Sequence, residues 1–256
     1  MLTEERYAKI LQLLDEKKSV TVQELKVLLD TSESTVRRDL NALDESGKLI
    51  KVFGGAVAAD DDEYSTTDDY VSMREEINIK EKQMIAAYAA SLIGPDDFVY
   101  LDAGTTTGLI PGFVTEKTAV FVTNAPEHAR KLAAAGIRVY MIGGEVKPST
   151  EAVVGNEAVE NLEKFHFTIG FFGANGISRH AGFTTPDLSE AIVKRKAMEN
   201  TRRRYVLCDH AKMNRISSVT FGSFSSATII TDTIVQEDFK DCDNMIEAAK
   251  SYICIS

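Results

Sequence analysis

From Asn78 onward, short β-rich runs alternate with amphipathic helical stretches, and this alternation constrains the fold more than any other feature of the chain. Runs rich in Val, Ile, Phe and Tyr at Phe98–Asp102, Val120–Asn124, Val139–Gly143, Phe167–Gly173, Tyr205–Asp209 and Thr228–Thr231 read as strands. Helical periodicity covers Asn78–Ile93, through Met84, Ile85, Tyr88, Ala89 and Leu92, and then Pro126–Ala135, Asp187–Arg203 and Gln236–Ser251. Strands separated by helices make crossover connections, so the expected fold is an α/β domain with a mainly parallel sheet. In such sheets ligands sit beyond the carboxyl ends of the strands. The residues that follow each strand therefore matter most.

Those residues are polar. The first strand ends in Asp102-Ala103-Gly104-Thr105-Thr106-Thr107-Gly108 and is read as entering a helix. Gly104 permits a tight turn, and the following amides and three hydroxyls suit a phosphate. An ordinary capped turn has the same composition. Other strand ends deliver Thr123-Asn124, then Gly143-Gly144-Glu145 followed by Lys147, then Gly173-Ala174-Asn175-Gly176, and Asp209-His210-Ala211-Lys212. Together they outline a pocket for a hydroxylated, phosphorylated ligand. Gly182 opens a further segment, read as a loop, that leads into a helix start. There Asp187 and Glu190 fit a capping box and Glu190 and Lys194 an i,i+4 pair, so pocket and structural roles both stay open. Lys194, Arg195, Lys196, Arg202, Arg203 and Arg204 read as a solvated or subunit-facing helix face.

Upstream, residues 58–73 contain six acids (Asp60, Asp61, Asp62, Glu63, Asp68, Asp69) and no base, which marks a linker over 59–76 between domains at 1–58 and 77–256. The first domain carries three helical patterns. Thr3–Lys17 places Tyr7, Ile10, Leu11, Leu13 and Leu14 on one stripe, and Thr21–Asp30 does the same with Val22, Leu25, Leu28 and Leu29. Thr21 and Glu24 form a T-x-x-E capping box. Thr31-Ser32 breaks the pattern, and Ser32 caps a third helix with Val36, Leu40 and Leu43 inside, ending at Gly47. Residues 48–57 alternate like a strand that turns at Gly54-Gly55.

This is a winged helix-turn-helix layout, whose third helix enters the major groove. Its exposed face presents Glu33, Ser34, Thr35, Arg37 and Arg38. Arginine bonds both acceptors of a guanine, Ser32, Ser34 and Thr35 suit phosphates or base edges, and Lys48 and Lys51 on the wing suit phosphates. A protein-docking module of three helices is the alternative.

At these residues the sequence resembles the DeoR family of bacterial repressors: Ser32-x-x-Thr35-Val36-Arg37-Arg38-Asp39-Leu40, then Leu43, Gly47 and Gly54-Gly55-Ala56. The resemblance implies that the helix bearing Arg37 and Arg38 reads an operator and that Asp39 orients a neighbouring arginine. It extends through Asp102-Ala103-Gly104-Thr105-Thr106, Thr123-Asn124, Gly143-Gly144, Gly173-x-Asn175-Gly176, Gly182-Phe183-Thr184 and Asp209-x-x-Lys212, which are similar to the family's sensor domain. The resemblance implies a domain similar in fold to ribose-5-phosphate isomerase and related sugar-phosphate enzymes. General likeness is closest to the branch of fructose-operon and lactose (tagatose-pathway) repressors. This implies a phosphorylated ketose effector, fructose 1-phosphate first and tagatose 6-phosphate second.

Composition sets the remaining expectations. With 29 Lys+Arg against 39 Asp+Glu the net charge is −10, yet residues 1–58 hold nine basic and ten acidic groups. Binding then depends on where the cations sit, and the acidic remainder disfavours unspecific DNA contact. Three scattered cysteines point to reduced cytoplasmic thiols, and four scattered histidines to no metal site. No run approaches the roughly 18 apolar residues of a membrane span.

The expected protein is an operator-binding repressor, a dimer or tetramer because one helix-turn-helix reads a half-site, with no catalytic residue and no cofactor. Its effector residues are Asp102, Gly104, Thr105, Thr106, Thr107, Asn124, Gly143, Gly144, Lys147, Asn175, Gly176, Gly182, Glu190, Lys194, Asp209 and Lys212. A sugar-phosphate isomerase with an accessory N-terminal domain is the rival, since Asp102, Asp209, Glu190 and Lys212 supply acid, base and cation.

Overall fold

The computed structural model describes residues 3–17, 19–45, 48–52, 55–58, 63–65 and 77–251. The chain divides into two compact units, Met1–Glu63 and Tyr64–Ser256. The expected linker lies outside the described residues except for Glu63–Ser65, and so do Gly47 and Gly54.

The first unit contains α1 (Thr3–Lys17), α2 (Val22–Leu28) and α3 (Glu33–Glu45), with β1 (Ser19–Thr21), β2 (Leu49–Val52) and β3 (Gly55–Ala58). The strands form an antiparallel sheet in the order β1-β3-β2. The sequence pattern missed β1, which is only three residues long. Thr21 and Glu24 close the expected capping box at the start of α2. The helix ends in a Schellman turn: Thr31 N–H bonds the Lys26 carbonyl at 3.3 Å, Asp30 N–H bonds that of Val27 at 3.4 Å, and Asp30 has φ 44°. Ser32 Oγ then accepts from Thr35 N–H at 3.3 Å and starts α3. Ile10, Leu14, Val22, Leu25, Leu29, Val36, Leu40, Leu43 and Leu49 are buried together. Leu28, expected inside, is exposed.

The second unit follows a short strand, β4 (Glu63–Ser65). It begins with α4 (Ile79–Ser91), β5 (Phe98–Leu101), β6 (Val120–Thr123), α5 (Pro126–Ala134), β7 (Val139–Met141) and the hairpin β8 (Glu145–Val146) and β9 (Val153–Val154). It continues through α6 (Asn156–Glu163), β10 (Phe167–Gly173), β11 (Gly176–Ser178), β12 (Gly182–Thr185), α7 (Leu188–Glu199) and β13 (Thr201–Leu207). The last elements are β14 (Arg215–Ser217), β15 (Val219–Gly222), β16 (Thr228–Thr231), β17 (Met245–Glu247) and α8 (Ala248–Ser251).

Seven strands form the central sheet in the order β17-β16-β13-β10-β5-β6-β7, with every neighbouring pair parallel. Both faces are buried, as a parallel sheet requires. Along β10 the adjacent Phe171 and Phe172 go to opposite faces, each burial contributing about 1.5–3 kcal/mol. On one face α4 supplies Ile85, Ala86 and Ala89, and on the other α6 and α7 supply Ala158, Leu162, Ala191 and Ala197. From β5 the chain moves outward through β6 and β7, whereas β10, β13, β16 and β17 build the sheet the other way. The strand order therefore reverses between β5 and β10, which opens a crevice at their carboxyl ends.

Four expectations are corrected. The helix from Asp187 stops at Glu199, and Thr201–Leu207 is a strand paired with β10, so Arg202–Arg204 are not on a helix face. Arg203 instead pairs with Asp97 at 2.8 Å. Within 236–251 only Ala248–Ser251 is α-helical, because Met245–Glu247 pairs with β16 as an edge strand. The turn after β5 continues as a 3₁₀ helix, Thr107–Gly112, with Pro111 inside, rather than an α-helix. The segment at Gly182 is not a loop: it pairs with β11 and β15 in a three-stranded sheet.

Candidate functional site

In the first unit α3 leaves Ser32, Ser34, Arg37 and Arg38 exposed, Thr35 partly so, and Lys48 and Lys51 exposed on the wing. The Ser32 hydroxyl lies 2.9 Å from those of both Ser34 and Thr35, so the three hydroxyls form one cluster at the helix start. Arg37 is held by Glu33 one turn earlier, with Nε and a terminal nitrogen at 3.0 and 2.7 Å from Oε1. Asp39 does not orient Arg37 or Arg38. It is buried and takes two hydrogen bonds from Arg6 of α1, at 2.6 and 2.9 Å. Position 39 faces inward with Val36, Leu40 and Leu43, so its partner comes from the helix packed there.

In the second unit the crevice between β5 and β10 holds a cavity of about 390 Å³. Three strand ends build it: Ala103–Thr106 after β5, Gly173–Asn175 after β10 and Cys208–Lys212 after β13. Glu190 and Lys194 enter from α7, Thr150 from the turn between β8 and β9, Asn78 and Lys82 from the start of α4, and Arg215 from β14. Eight of the sixteen sequence-derived effector residues line it: Gly104, Thr105, Thr106, Asn175, Glu190, Lys194, Asp209 and Lys212.

The other eight lie behind or beside the wall. Asp102 is fully buried; its Oδ2 accepts from Gly173 N–H at 2.9 Å and pairs with Lys194. Lys194 is thus an internal ion, not part of a solvated basic face. Thr107 turns inward and donates to the Gly104 carbonyl at 3.0 Å. Asn124 is buried, accepting from Ala103 N–H at 2.8 Å and donating to the Val153 carbonyl. Lys147 stands outside the cavity and bridges Asp187 at 3.1 Å and Glu190 at 3.2 Å. Gly144, Gly176 and Gly182 serve close backbone packing, whereas a Cβ on Gly143 would meet only Asn161 Nδ2, at 3.9 Å. A Cβ on Gly182, at φ +76°, would meet the Gly222 carbonyl oxygen at 2.2 Å.

Electrostatics separate the wall from its support. Burial pushes the Asp102 carboxyl up from its ordinary value, against the opposing pull of Lys194 and the Gly173 amide. Burial also pushes the Cys208 thiol well up, so this cavity-lining sulfur stays protonated. Glu190 accepts from Thr150 Oγ1 at 2.6 Å and from Lys147, while its N–H bonds the Asp187 cap at 2.8 Å. Asp209 accepts from Asn78 Nδ2 and Ala211 N–H, both at 3.1 Å. His128 of α5 packs beneath the Gly104–Gly108 turn, where a Cβ on Gly108 would lie 2.6 Å from its Nε2. Burial pushes this imidazole down to about 4, so it is neutral near pH 7.

Sequence reasoning missed Lys82, Arg215, Asn78 and Thr150. Lys82 had a readable signal, because it shares the buried stripe of α4 with Ile85, Ala86, Ala89 and Ala90. A lysine on an apolar stripe is either paired or facing a cavity.

Comparison with known proteins gives the same two-part division. The DeoR-like helix-turn-helix domain matches residues 6–62, and the DeoR C terminal sensor domain matches residues 77–233. The uncharacterized HTH-type transcriptional regulator FruR of Bacillus subtilis (strain 168) is 40% identical over 232 residues, covering 90% of this chain and 91% of that protein. The lactose phosphotransferase system repressor of Staphylococcus aureus (strain NCTC 8325 / PS 47) is 35% identical over 254 residues, 97% of each chain. Among solved structures, ribose 5-phosphate isomerase A from Methanocaldococcus jannaschii aligns over 53% of this chain and 55% of its own, with 15% identity and a TM-score of 0.41. With a DeoR-like helix-turn-helix domain, a DeoR sensor domain and near full-length relatives that are transcriptional regulators, the chain belongs to the DeoR family of transcriptional repressors.

Proposed function

We propose that the protein represses a sugar-metabolism operon and is controlled by a phosphorylated sugar bound in the cavity of the second unit. The observation that carries this reading is the composition of the cavity wall. Lys82, Lys194, Lys212 and Arg215 line the same cavity as the turn bearing Thr105 and Thr106, together with Glu190, Asp209 and Asn175. Cations and hydroxyls suit a phosphate, and carboxylates and amides suit sugar hydroxyls. Gly104, Thr105, Thr106, Lys82 and Lys212 hold the phosphate. Asn175, Glu190 and Asp209 bond the hydroxyls, and Asp102, Asn124, Thr107 and Lys147 position the wall. A relative named lactose phosphotransferase system repressor supports control by a sugar; the sequence likeness to fructose-operon and lactose repressors puts fructose 1-phosphate first and tagatose 6-phosphate second.

Ser32, Ser34, Thr35, Arg37, Arg38, Lys48 and Lys51 contact operator DNA in the cytoplasm, as a dimer or tetramer. The effector shifts DNA occupancy only through different affinities for the DNA-bound and released states. The test is a thermal-shift panel of sugar phosphates, followed by operator release with each hit. One ketose phosphate is expected to raise the melting temperature and change DNA affinity; no response to any sugar phosphate would overturn the effector assignment.

The cavity also contains the acid, base and cation of a sugar-phosphate isomerase, in Glu190, Asp209 and Lys212. Incubation with ketose and aldose phosphates is expected to give no interconversion, and robust turnover would replace the repressor reading.

A further inference from the structure

Glu33 stands out on the face of α3 that the proposed function turns toward DNA. It lies in the first turn, about half exposed, with its Oε1 carrying both bonds from Arg37. Its Oε2 has no partner recorded among the described residues. A carboxylate at this position faces a duplex that carries one negative charge per roughly 1.7 Å of axis, so it opposes binding unless a base donates to it. In the major groove cytosine offers the N4 amine with no acceptor beside it, adenine sets its N6 amine next to the N7 acceptor, which repels a carboxylate, and guanine offers only acceptors, which suit arginine. The side chains of Glu33 and Arg37 meet at 2.7 Å, so together they can address neighbouring base pairs.

We propose that Glu33 is a specificity-determining residue: its carboxylate accepts from the amine of a cytosine beside the guanine bonded by Arg37, and it holds the Arg37 guanidinium in place. Resting on the reading of α3 as the DNA-reading helix, this adds a selective element to an otherwise cationic and hydroxylic face. Where guanine or thymine replaces the cytosine the carboxylate meets phosphates and acceptors alone, and where adenine does it meets N7 beside the amine, so the complex is penalised.

The experiment is selection from a randomised duplex pool with the full-length wild-type chain and with Glu33→Gln, Glu33→Ala and Arg37→Ala. Affinities for the wild-type-selected duplex and a scrambled duplex are then measured at one salt concentration, with circular dichroism melts to establish that each variant is folded. Both Glu33 variants are expected to keep the guanine, lose preference at one cytosine position, and lower the selected-to-scrambled affinity ratio about tenfold. If they select the wild-type motif unchanged and shift both affinities by one common factor, Glu33 is only a surface charge and the inference is overturned. If Arg37→Ala also selects the wild-type motif, the assignment of α3 itself fails.

Discussion

Lys194 of α7 reaches the end of β5 and pairs with Asp102, 92 residues earlier, with side chains only 5% and 0% exposed. The same Asp102 oxygen accepts from Gly173 at the end of β10. One carboxylate therefore joins both strands of the crevice and the helix that overhangs it.

Lys194→Met would leave Asp102 buried without a counter-charge. Stability of the second unit at pH 7 should fall by about 3–5 kcal/mol. Because the folded-state pKa of Asp102 is raised, the folded protein holds that proton more tightly than the unfolded chain, and this group favours folding more as pH falls. The deficit should therefore shrink in urea melts at pH 5 relative to pH 7. An unchanged deficit would mean that lost packing, not an uncompensated charge, causes it.

His128 predicts a second pH effect. Its pKa falls from 6.5 to about 4 on folding, so its neutral form contributes full stability above about pH 6.5 and loses it as pH drops toward 4. The loss amounts to about 3 kcal/mol across that window. His128→Gln should flatten this part of the stability curve, measured by denaturant titration across pH 4–7.

Thr105→Val with Thr106→Val removes two hydroxyls from the cavity wall and leaves the first unit untouched. Ligand-induced thermal shift should vanish while operator affinity persists. A normal shift would place the phosphate elsewhere.

Lys82→Met retains much of the side-chain volume and removes a buried cation from the lining of that cavity. Effector affinity should drop about tenfold or more, as measured by calorimetry, without loss of folding. Retained affinity would exclude Lys82 from the phosphate contacts.

Arg37→Ala should weaken operator binding by about 1–3 kcal/mol and relax base preference. A gel shift equal to wild type would remove Arg37 from base reading.

Much of this architecture was legible before any coordinates. The six strands between Phe98 and Thr231 announce themselves because a parallel sheet buried on both faces is written as continuous apolar runs. The Thr21–Glu24 capping box and the Ser32 cap are local and readable for the same reason. Short or edge elements are not: β1, β15 and β17 owe their pairing to partners outside their own neighbourhood, the β11–β12 hairpin is only three and four residues long, and all have weak side-chain patterns.

The split among the sixteen residues expected at the site has a related cause. Strand ends carry Gly, Asn and Thr both where they line the cavity and where backbones cross. Asn124 and Thr105 look equivalent in sequence, yet one knits Ala103 to Val153 and the other lines the cavity. Similarly, Asp39 and Arg38 are adjacent, but helical rotation sends one into the core to meet Arg6 and the other to solvent.

The sequence by itself determined the helices and strands of the winged helix with its exposed arginines, the parallel α/β sheet and the polar strand ends, because periodicity, caps and turn chemistry are properties of neighbouring residues. Only the tertiary structure decided that strand order reverses between β5 and β10, that Lys194 belongs to Asp102 inside the fold, and that Lys82 and Arg215 join the wall. Those relationships join residues that are far apart in the chain, and their partners are chosen by sheet order and helix packing.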